Sequence, residues 1–228
     1  MNSTKIDPKY IIKSNPRIGL IALASDFMIE RDFINVIKDR EVDFFVNRIE
    51  CYNPLTKENL IKMSNKVTEV TKDILPDQDI DCIVYGCTSG TIAAGYESIE
   101  KKVKAAKPMA EVTTPSTAAI KALKKLNITK ISLFTPYSKK LNDEVLDYFK
   151  KEGFEITSNS YFDIEADYDI GKSACAVKLL AIMLGRHALH EIPNCVAILV
   201  YSITTFHFVQ PVEDTVHWRY FRVLQIAG

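Results

Sequence analysis

The sequence predicts an α/β fold made of two similar lobes, each built on a mostly parallel sheet. Strand-like apolar runs alternate with helix-like amphipathic segments, which is typical of parallel strands joined by helices. The chain also repeats itself, because an apolar strand and helix that begin at Ile18 are echoed from Ile131. Cys87 lies 69 positions after Ile18, and Ser202 lies 71 positions after Ile131. Loose matches of this kind also arise by chance, so the repeat is a hypothesis that superposition of the two halves tests.

The predicted elements follow in chain order. They are a strand at 17–23, a helix at about 27–38, a strand at 42–49, an amphipathic helix at 58–74, a buried strand at 83–85, a helix at about 91–105 and an extended segment at 109–113. Pro115 opens the next helix at its first turn, where a missing N–H is tolerated. In the second half, a strand at 131–136 precedes a helix, and an apolar strand at 196–201 leads to Ser202.

This pattern divides the chain into three parts. We expect an N-terminal extension at 1–15, a first α/β lobe at 16–112 and a second α/β lobe at 113–228, with a C-terminal helix that could pack on the first lobe. Ligands of open α/β sheets bind beyond the carboxyl ends of the strands. Two facing lobes would therefore place Cys87 and Ser202 on opposite walls of one cleft.

Composition and charge exclude several classes of function. The 228 residues carry 29 Lys and Arg against 29 Asp and Glu, so neither a nucleic-acid nor a membrane partner is expected. No apolar run approaches the roughly 20 residues that span a bilayer, and residues 1–14 lack a signal-peptide core. The five cysteines form no C-x-x-C pair and the four histidines are scattered, which argues against zinc and favours a reducing cytoplasm. The oligomeric state stays open, a homo-oligomer included.

The segment at 86–91, Gly-Cys-Thr-Ser-Gly-Thr, is the most informative motif. Its glycines permit a sharp strand-to-helix turn, so Cys87 is expected where the first N–H groups of a helix converge. Such a position binds anions and favours a thiolate, and the hydroxyls of Thr88, Ser89 and Thr91 could hold a carboxylate. The alternative is a buried structural cysteine beside an ordinary helix start.

These residues resemble the aspartate/glutamate racemase superfamily, in its branch of maleate cis-trans isomerases, arylmalonate decarboxylases and ectoine-utilisation proteins. The similar segments are 17–21 with Ser25, Asp26 and Glu30, then 85–91, 112–115 and 133–137. Segments 20–26 and 30–33 are most similar to the ectoine-utilisation type. The resemblance is dense from about residue 16 to 171 and weak beyond it.

The resemblance implies two pseudo-symmetric lobes with the active site between them, and catalysis without a metal or organic cofactor. Racemases and maleate isomerases of the superfamily use one cysteine from each lobe, and Cys87 matches the first-lobe cysteine. Thr88 and Ser89 match donors to a substrate carboxylate, and Tyr137 matches a tyrosine that contacts substrate.

Three further positions are implied to bind substrate, namely Ser25, Asp26 and Asp167. Maleate isomerases carry asparagines where Asp26 and Asp167 lie. An aspartate at either place repels an anionic substrate unless it is protonated or paired.

The second lobe departs from the family pattern. Its Cys-Thr pair is replaced within 201–204, Tyr-Ser-Ile-Thr, so Ser202 takes the place of the second catalytic cysteine. A serine has too high a pKa to replace a thiol unaided, which argues against two-base racemisation. The segment from 202 to 228 also leaves little room for a helix and a strand.

The sequence therefore predicts a cofactor-independent isomerase-type enzyme that acts on a small dicarboxylate or amino-dicarboxylate through a Cys87 thiolate, in ectoine-type catabolism or a related route. Isomerisation needs chiefly one nucleophile, so the altered second lobe harms it least. The alternatives are a decarboxylase of the same superfamily and a catalytically impaired accessory protein that binds a carboxylate. Cys87 is also expected to react with iodoacetamide faster than Cys51 or Cys82.

Overall fold

The computed structural model describes residues 3–10 and 15–173, and it gives strands at 195–202, 205–210 and 219–222. These residues form two β-sheets with helices packed against them, which confirms the predicted α/β class. Within the described residues, every helix is too short or too polar to cross a membrane.

The strands of the first sheet are β1 (Arg17–Leu23), β2 (Asp43–Ile49), β3 (Cys82–Tyr85) and β4 (Glu111–Thr113). They are parallel and lie in the order β2-β1-β3-β4. The register pairs Leu23 with Ile49 and Ile21 with Tyr85. The segments that follow β1, β2 and β3 therefore emerge at the same level along one edge of the sheet.

The helices are α1 (Ile29–Ile37), α2 (Lys57–Ser64), α3 (Val67–Lys72), α4 (Thr88–Ala94), α5 (Tyr96–Lys104), α6 (Pro115–Lys125) and α7 (Lys139–Lys151), and residues 167–173 are helical as well. The helix predicted at 58–74 is divided into α2 and α3, and the Lys102 ammonium donates to Ser64 Oγ (2.8 Å) and Asn65 Oδ1 (3.3 Å) at the break. The helix predicted at 91–105 begins earlier, at Thr88, and is divided at Gly95. Gly95 has a φ of +82°, which glycine adopts at little cost.

The strands of the second sheet are β5 (Lys130–Tyr137), β6 (Glu155–Ile164), β7 (Cys195–Ser202), β8 (Thr205–Gln210) and β9 (Arg219–Arg222). Their order is β6-β5-β7-β8-β9, and the parallel trio β6-β5-β7 repeats the arrangement β2-β1-β3. The symmetry ends after Ser202, because β8 runs antiparallel to β7 whereas Cys87 leads into α4. The domain boundaries stay predictions, and the C-terminal helix falls outside the described residues.

One apolar core connects the two lobes. Ile21 and Tyr85 from the first sheet share it with Leu133, Tyr137 and Phe149 from the second lobe, all of them almost completely buried. The other face of β1 packs against α1 in a smaller cluster, as expected for side chains that alternate along a strand. The same core passes directly beneath the edge where β1, β2 and β3 end.

Candidate active site at the carboxyl edge of the first sheet

Cys87 lies between β3 and α4, as the sequence predicts. It is the N-cap residue of α4, with φ −135° and ψ 111°, and its sulfur accepts a hydrogen bond from the Gly90 N–H at 3.1 Å. The carbonyl of Cys87 accepts from the Thr91 N–H at 3.1 Å and from the Thr91 hydroxyl at 2.7 Å. The sulfur thus does the capping that a serine or aspartate oxygen usually does.

The Cys87 thiol is completely buried, with 0% of its surface exposed. Burial raises the pKa of Cys87 well above that of a free thiol, and the charge of Cys51 raises it further. The Gly90 N–H and the Ser89 hydroxyl, 3.8 Å from the sulfur, lower the pKa but only partly offset burial. The sequence-based expectation of a thiolate is therefore not met in this closed arrangement, and the thiol is neutral at pH 7.

Three buried hydroxyl groups near Cys87 lack hydrogen-bond partners among the described residues. They belong to Tyr85, Thr88 and Tyr137, and none of the three residues is exposed. Burial raises the pKa of both tyrosines well above its usual range, so both phenols are neutral donors. A buried hydroxyl without a partner costs about 1–3 kcal/mol, which a bound carboxylate could recover.

Gly90 lets the Tyr85 phenol and the Cys87 sulfur pack closely against the first turn of α4. A Cβ atom at position 90 would lie 2.7 Å from the Tyr85 hydroxyl oxygen and 2.8 Å from the Cys87 sulfur. Both distances are shorter than van der Waals contact. The phenol and the thiol therefore flank the same point, which only a glycine leaves free.

Asp167, from the second lobe, joins the site through Ser25. The Ser25 hydroxyl donates to Asp167 Oδ2, and the backbone N–H of Asp167 donates to Asn53 Oδ1 at 3.1 Å. Burial raises the pKa of Asp167 to about 6, and Asp26 adds to the rise while the Ser25 hydrogen bond opposes it. The Asp167 carboxyl thus titrates close to neutral pH. The charges of Cys87 and Asp167 also raise the pKa of Tyr137, which shows that the three groups are neighbours.

The Asp26 carboxylate caps the start of α1. Its Oδ1 accepts hydrogen bonds from the backbone N–H groups of Met28 (2.7 Å) and Ile29 (3.0 Å). One carboxylate oxygen is thereby engaged in capping the helix. The substrate-binding role of Asp26 stays a prediction.

Arg48 fixes the loop that carries Ser25 and Asp26. One guanidinium nitrogen donates to the carbonyls of Leu23 (2.9 Å) and Asp26 (2.8 Å), and the other pairs with Glu30. The guanidinium also borders an open depression of about 470 Å³. Its other lining residues are Ala24, Ser25, Asp26, Phe27 and Tyr168.

The structure thus brings together most of the residues that the sequence predicts for the site. Cys87, Thr88 and Ser89 lie on one turn, Tyr137 ends β5, and Ser25 and Asp167 are hydrogen-bonded to each other. β7 ends at Ser202 as predicted, but the side chain of Ser202 lies outside the described residues.

Sequence reasoning missed two members of the cluster. Tyr85 was assigned only to a buried strand, although the last residue of a strand at this edge can point into the site. Cys51 follows β2 by two positions, and the parallel register places it level with Ser25, two positions after β1. The sequence shows that Cys51 follows a strand, but it does not show the register that places Cys51 level with Ser25.

A family model described as arylmalonate decarboxylase matches residues 55–219, which is most of the chain. The chain belongs to the arylmalonate decarboxylase family. This finding confirms the branch that the motifs resemble, and it leaves the ectoine-utilisation type a prediction.

Curated relatives of this arylmalonate decarboxylase family member include maleate isomerases. That of Geobacillus stearothermophilus is 25% identical over 170 residues, covering 68% of this chain and 67% of the relative. That of Pseudomonas putida is 26% identical over 153 residues, covering 61% of this chain and 60% of the relative. The matched region thus spans about two thirds of these relatives at most.

The fold is shared with solved maleate isomerases. The maleate isomerase Iso from Pseudomonas putida S16 superposes with a TM-score of 0.69 at 21% identity, covering 84% of this chain and 79% of that one. A mutant maleate cis-trans isomerase from Nocardia farcinica, solved with a covalently bound succinylcysteine intermediate, gives a TM-score of 0.66 at 17% identity, covering 82% and 88%. Members of this family and their relatives are isomerases or decarboxylases, so the chain is assigned as an enzyme of that kind.

Among the residues that the structure describes, no cluster of three or more His, Cys, Asp or Glu residues is arranged to hold a metal ion.

Proposed function

We propose that this protein is a cofactor-independent cis-trans isomerase of a small dicarboxylate or amino-dicarboxylate, and that Cys87 is its nucleophile. The observation that carries the proposal is the Cys87 sulfur at a helix start, surrounded by the unpartnered hydroxyls of Tyr85, Thr88 and Tyr137. These hydroxyls can hold a carboxylate and stabilise the negative charge that develops on it. A role in ectoine-type catabolism belongs to the same proposal and rests on the sequence resemblance.

The reaction is balanced without a co-reactant. The Cys87 thiolate forms an S–C bond with one alkene carbon, and the alkene electron pair moves to the neighbouring carbon and its carboxylate. A proton completes a thioether, and rotation about the new single bond exchanges cis for trans. Removal of a proton from that carbon then re-forms the double bond and expels the thiolate. The succinylcysteine in the Nocardia relative is a thioether of this type.

The mechanism requires Cys87 to lose its proton first. The Asp167 carboxyl, with a pKa of about 6, is the described group suited to accept a proton near neutrality. A protonated Asp167 would also cease to repel the dianionic substrate. Proton transfer toward Asp167 therefore activates the thiol and admits the substrate together.

Two alternatives have an observation in their favour. The family model is that of a decarboxylase, and decarboxylation needs one proton donor, although the decarboxylases of the superfamily place their cysteine in the second lobe. The neutral, fully buried thiol favours an accessory protein that only binds a carboxylate. Isomerisation is preferred because the donors surround the first-lobe cysteine.

The test is proton NMR of maleate incubated with the protein in deuterated buffer, repeated with other small dicarboxylates and with an aryl-substituted malonate. We expect formation of the trans isomer and a mass increase on the peptide that contains Cys87. Cys87→Ala should abolish both, whereas Cys82→Ala, outside the cluster, should retain them. Carbon dioxide release from the malonate without isomerisation would favour the decarboxylase, and binding without turnover would favour the accessory protein.

A further inference from the structure

Cys51 lies at the same edge of the first sheet as Cys87. β2 pairs in parallel with β1, Leu23 opposite Ile49, and the Ala24 N–H donates to the Ile49 carbonyl at 2.8 Å. β3 pairs with the other side of β1, and the Gly86 N–H donates to the Ile21 carbonyl at 2.9 Å. Strand ends fixed in this way place Cys51 and Cys87 on either side of the segment that carries Ser25.

The surroundings of Cys51 connect it to the cluster. Cys51 packs against the apolar core that contains Tyr85, Cys87 and Tyr137, yet it remains partly exposed. Burial raises the pKa of Cys51 to about 12, Asp167 adds to the rise, and the Ser25 hydroxyl is close enough to oppose it. Cys51 is thus a protonated, partly exposed thiol, unlike the enclosed Cys87.

Cys51, Ser25 and Asp167 form a path for a proton. Ser25 uses its single hydroxyl proton to donate to Asp167 Oδ2, so its oxygen is free to accept from a neighbouring thiol. Before substrate binds, a proton can exchange between the Cys51 sulfur and the Asp167 carboxyl through Ser25. The unpartnered hydroxyls of Tyr85 and Tyr137 point independently to a ligand in the space beside these groups.

We propose that Cys51 is a second catalytic residue, the acid and base that protonates the substrate carbon next to the one attacked by Cys87. This role rests on the proposed isomerase function. In the forward step the S–H bond of Cys51 breaks and a C–H bond forms, which leaves a Cys51 thiolate and the thioether on Cys87. After rotation, Cys51 takes a proton back from that carbon as Cys87 is expelled as a thiolate. Asp167 then returns the proton that it took from Cys87, so both thiols are restored. The first lobe thereby supplies the second thiol that Ser202 cannot provide.

The experiment compares Cys51→Ala and Cys51→Ser with Cys82→Ala and Cys82→Ser in maleate isomerisation. Cys82 is the matched control because it is also partly exposed and in the first lobe, but it lines a different cavity, with Ile18 and Val84. General acid–base groups contribute roughly 10²–10⁴-fold to rate. We expect both Cys51 variants to lose about 100-fold in kcat with KM changed less than threefold, and both Cys82 variants to stay within threefold of wild type.

A second readout separates catalysis from folding. In deuterated buffer, wild type and the Cys82 variants should introduce solvent deuterium at the alkene carbons of the product, and the Cys51 variants should introduce several-fold less per turnover. Thermal unfolding and succinate binding by calorimetry check that the Cys51 variants are folded and keep the carboxylate site.

Folded Cys51 variants with wild-type kcat and deuterium content would overturn the role of Cys51 and leave the isomerase function intact. A wild-type protein that neither isomerises maleate nor forms an adduct at Cys87 would overturn the isomerase function, and the role of Cys51 with it.

Discussion

At the scale of single residues, Asp167 is a carboxyl group whose charged form is disfavoured by burial. Its pKa is raised from 3.8 to about 6, chiefly by burial. The native state therefore binds a proton that the unfolded chain releases, and the free energy of unfolding falls as pH rises from about 4 to 6. A shift of this size corresponds to roughly 3 kcal/mol that is present below pH 4 and lost above pH 6.

Asp167→Asn removes this titration while an amide oxygen can still accept from Ser25. We expect the variant to be about 1–3 kcal/mol more stable than wild type at pH 7, with a flatter stability profile between pH 4 and 6. It should also bind succinate more tightly at pH 7 because a negative charge is gone. Urea unfolding across pH and calorimetry measure both effects. Asp169→Asn, an exposed neighbour paired with Lys172, serves as control and should change neither.

Substitution of Gly90 tests whether the close packing of the Tyr85 phenol and the Cys87 thiol beside it matters for activity. In Gly90→Ala the new methyl group meets Tyr85 and Cys87, so we expect kcat/KM to fall at least tenfold and stability to fall by about 1–3 kcal/mol. Gly153→Ala is the matched control, because its φ of +94° makes the substitution costly while nothing lies within 4 Å of the added atom. It should lose stability and retain activity. Equal activity in the two variants would show that the space beside Gly90 is not used.

At the scale of elements, the loop between β1 and α1 depends on one guanidinium group. Arg48 bonds the carbonyls of Leu23 and Asp26 and pairs with Glu30, a set of directions that a lysine ammonium cannot reproduce. We expect Arg48→Lys to raise KM for the dicarboxylate about three- to tenfold, with a smaller change in kcat, because the loop carrying Ser25 loosens. Steady-state kinetics measure the split. The exposed Arg40, changed to Lys, should leave both constants unaltered.

Some features of the helices and strands could be predicted from the sequence, and others could not. The strand end at Cys87 and the helix start at Pro115 follow from local patterns of apolar residues, glycine and proline, and the structure confirms them. The break at Gly95 is signalled by the glycine itself, but the long amphipathic segment around it favoured the prediction of one continuous helix. The neutral state of Cys87 could not be predicted, because it depends on how completely distant segments cover the sulfur.

At the scale of the whole molecule, the two lobes differ in topology. The repeat places β7, ending at Ser202, where β3 stands in the first lobe, but the chain then turns back into β8. If Ser202 faces Cys87, Ser202→Cys should raise proton exchange at a substrate α-carbon, because a second group of suitable pKa then lies across the site. NMR in deuterated buffer measures the exchange, and Cys87→Ala in the same background should abolish it. No change on substitution would place Ser202 away from the substrate.

Hydrogen bonds join the loop after β2 to the segment that carries Asp167. The Leu55 N–H donates to the Glu165 carbonyl at 2.8 Å, and Asn53 and Ser25 both hold Asp167. Since Cys87 is enclosed and neutral in this arrangement, the structure opposes the sequence-based expectation that it alkylates fastest. The Cys87 sulfur becomes accessible to reagent and substrate only when the structure around it opens.

This requirement for opening gives the alkylation reaction a kinetic signature. The alkylation rate of Cys87 should rise with iodoacetamide concentration only to a ceiling set by the rate of opening, whereas the rate at the partly exposed Cys82 should rise in proportion throughout. Mass spectrometry of the two peptides in one sample compares them directly, and a strictly proportional rise at Cys87 would contradict the closed arrangement. Turnover can then be no faster than this ceiling, whatever the rate of the chemistry at sulfur.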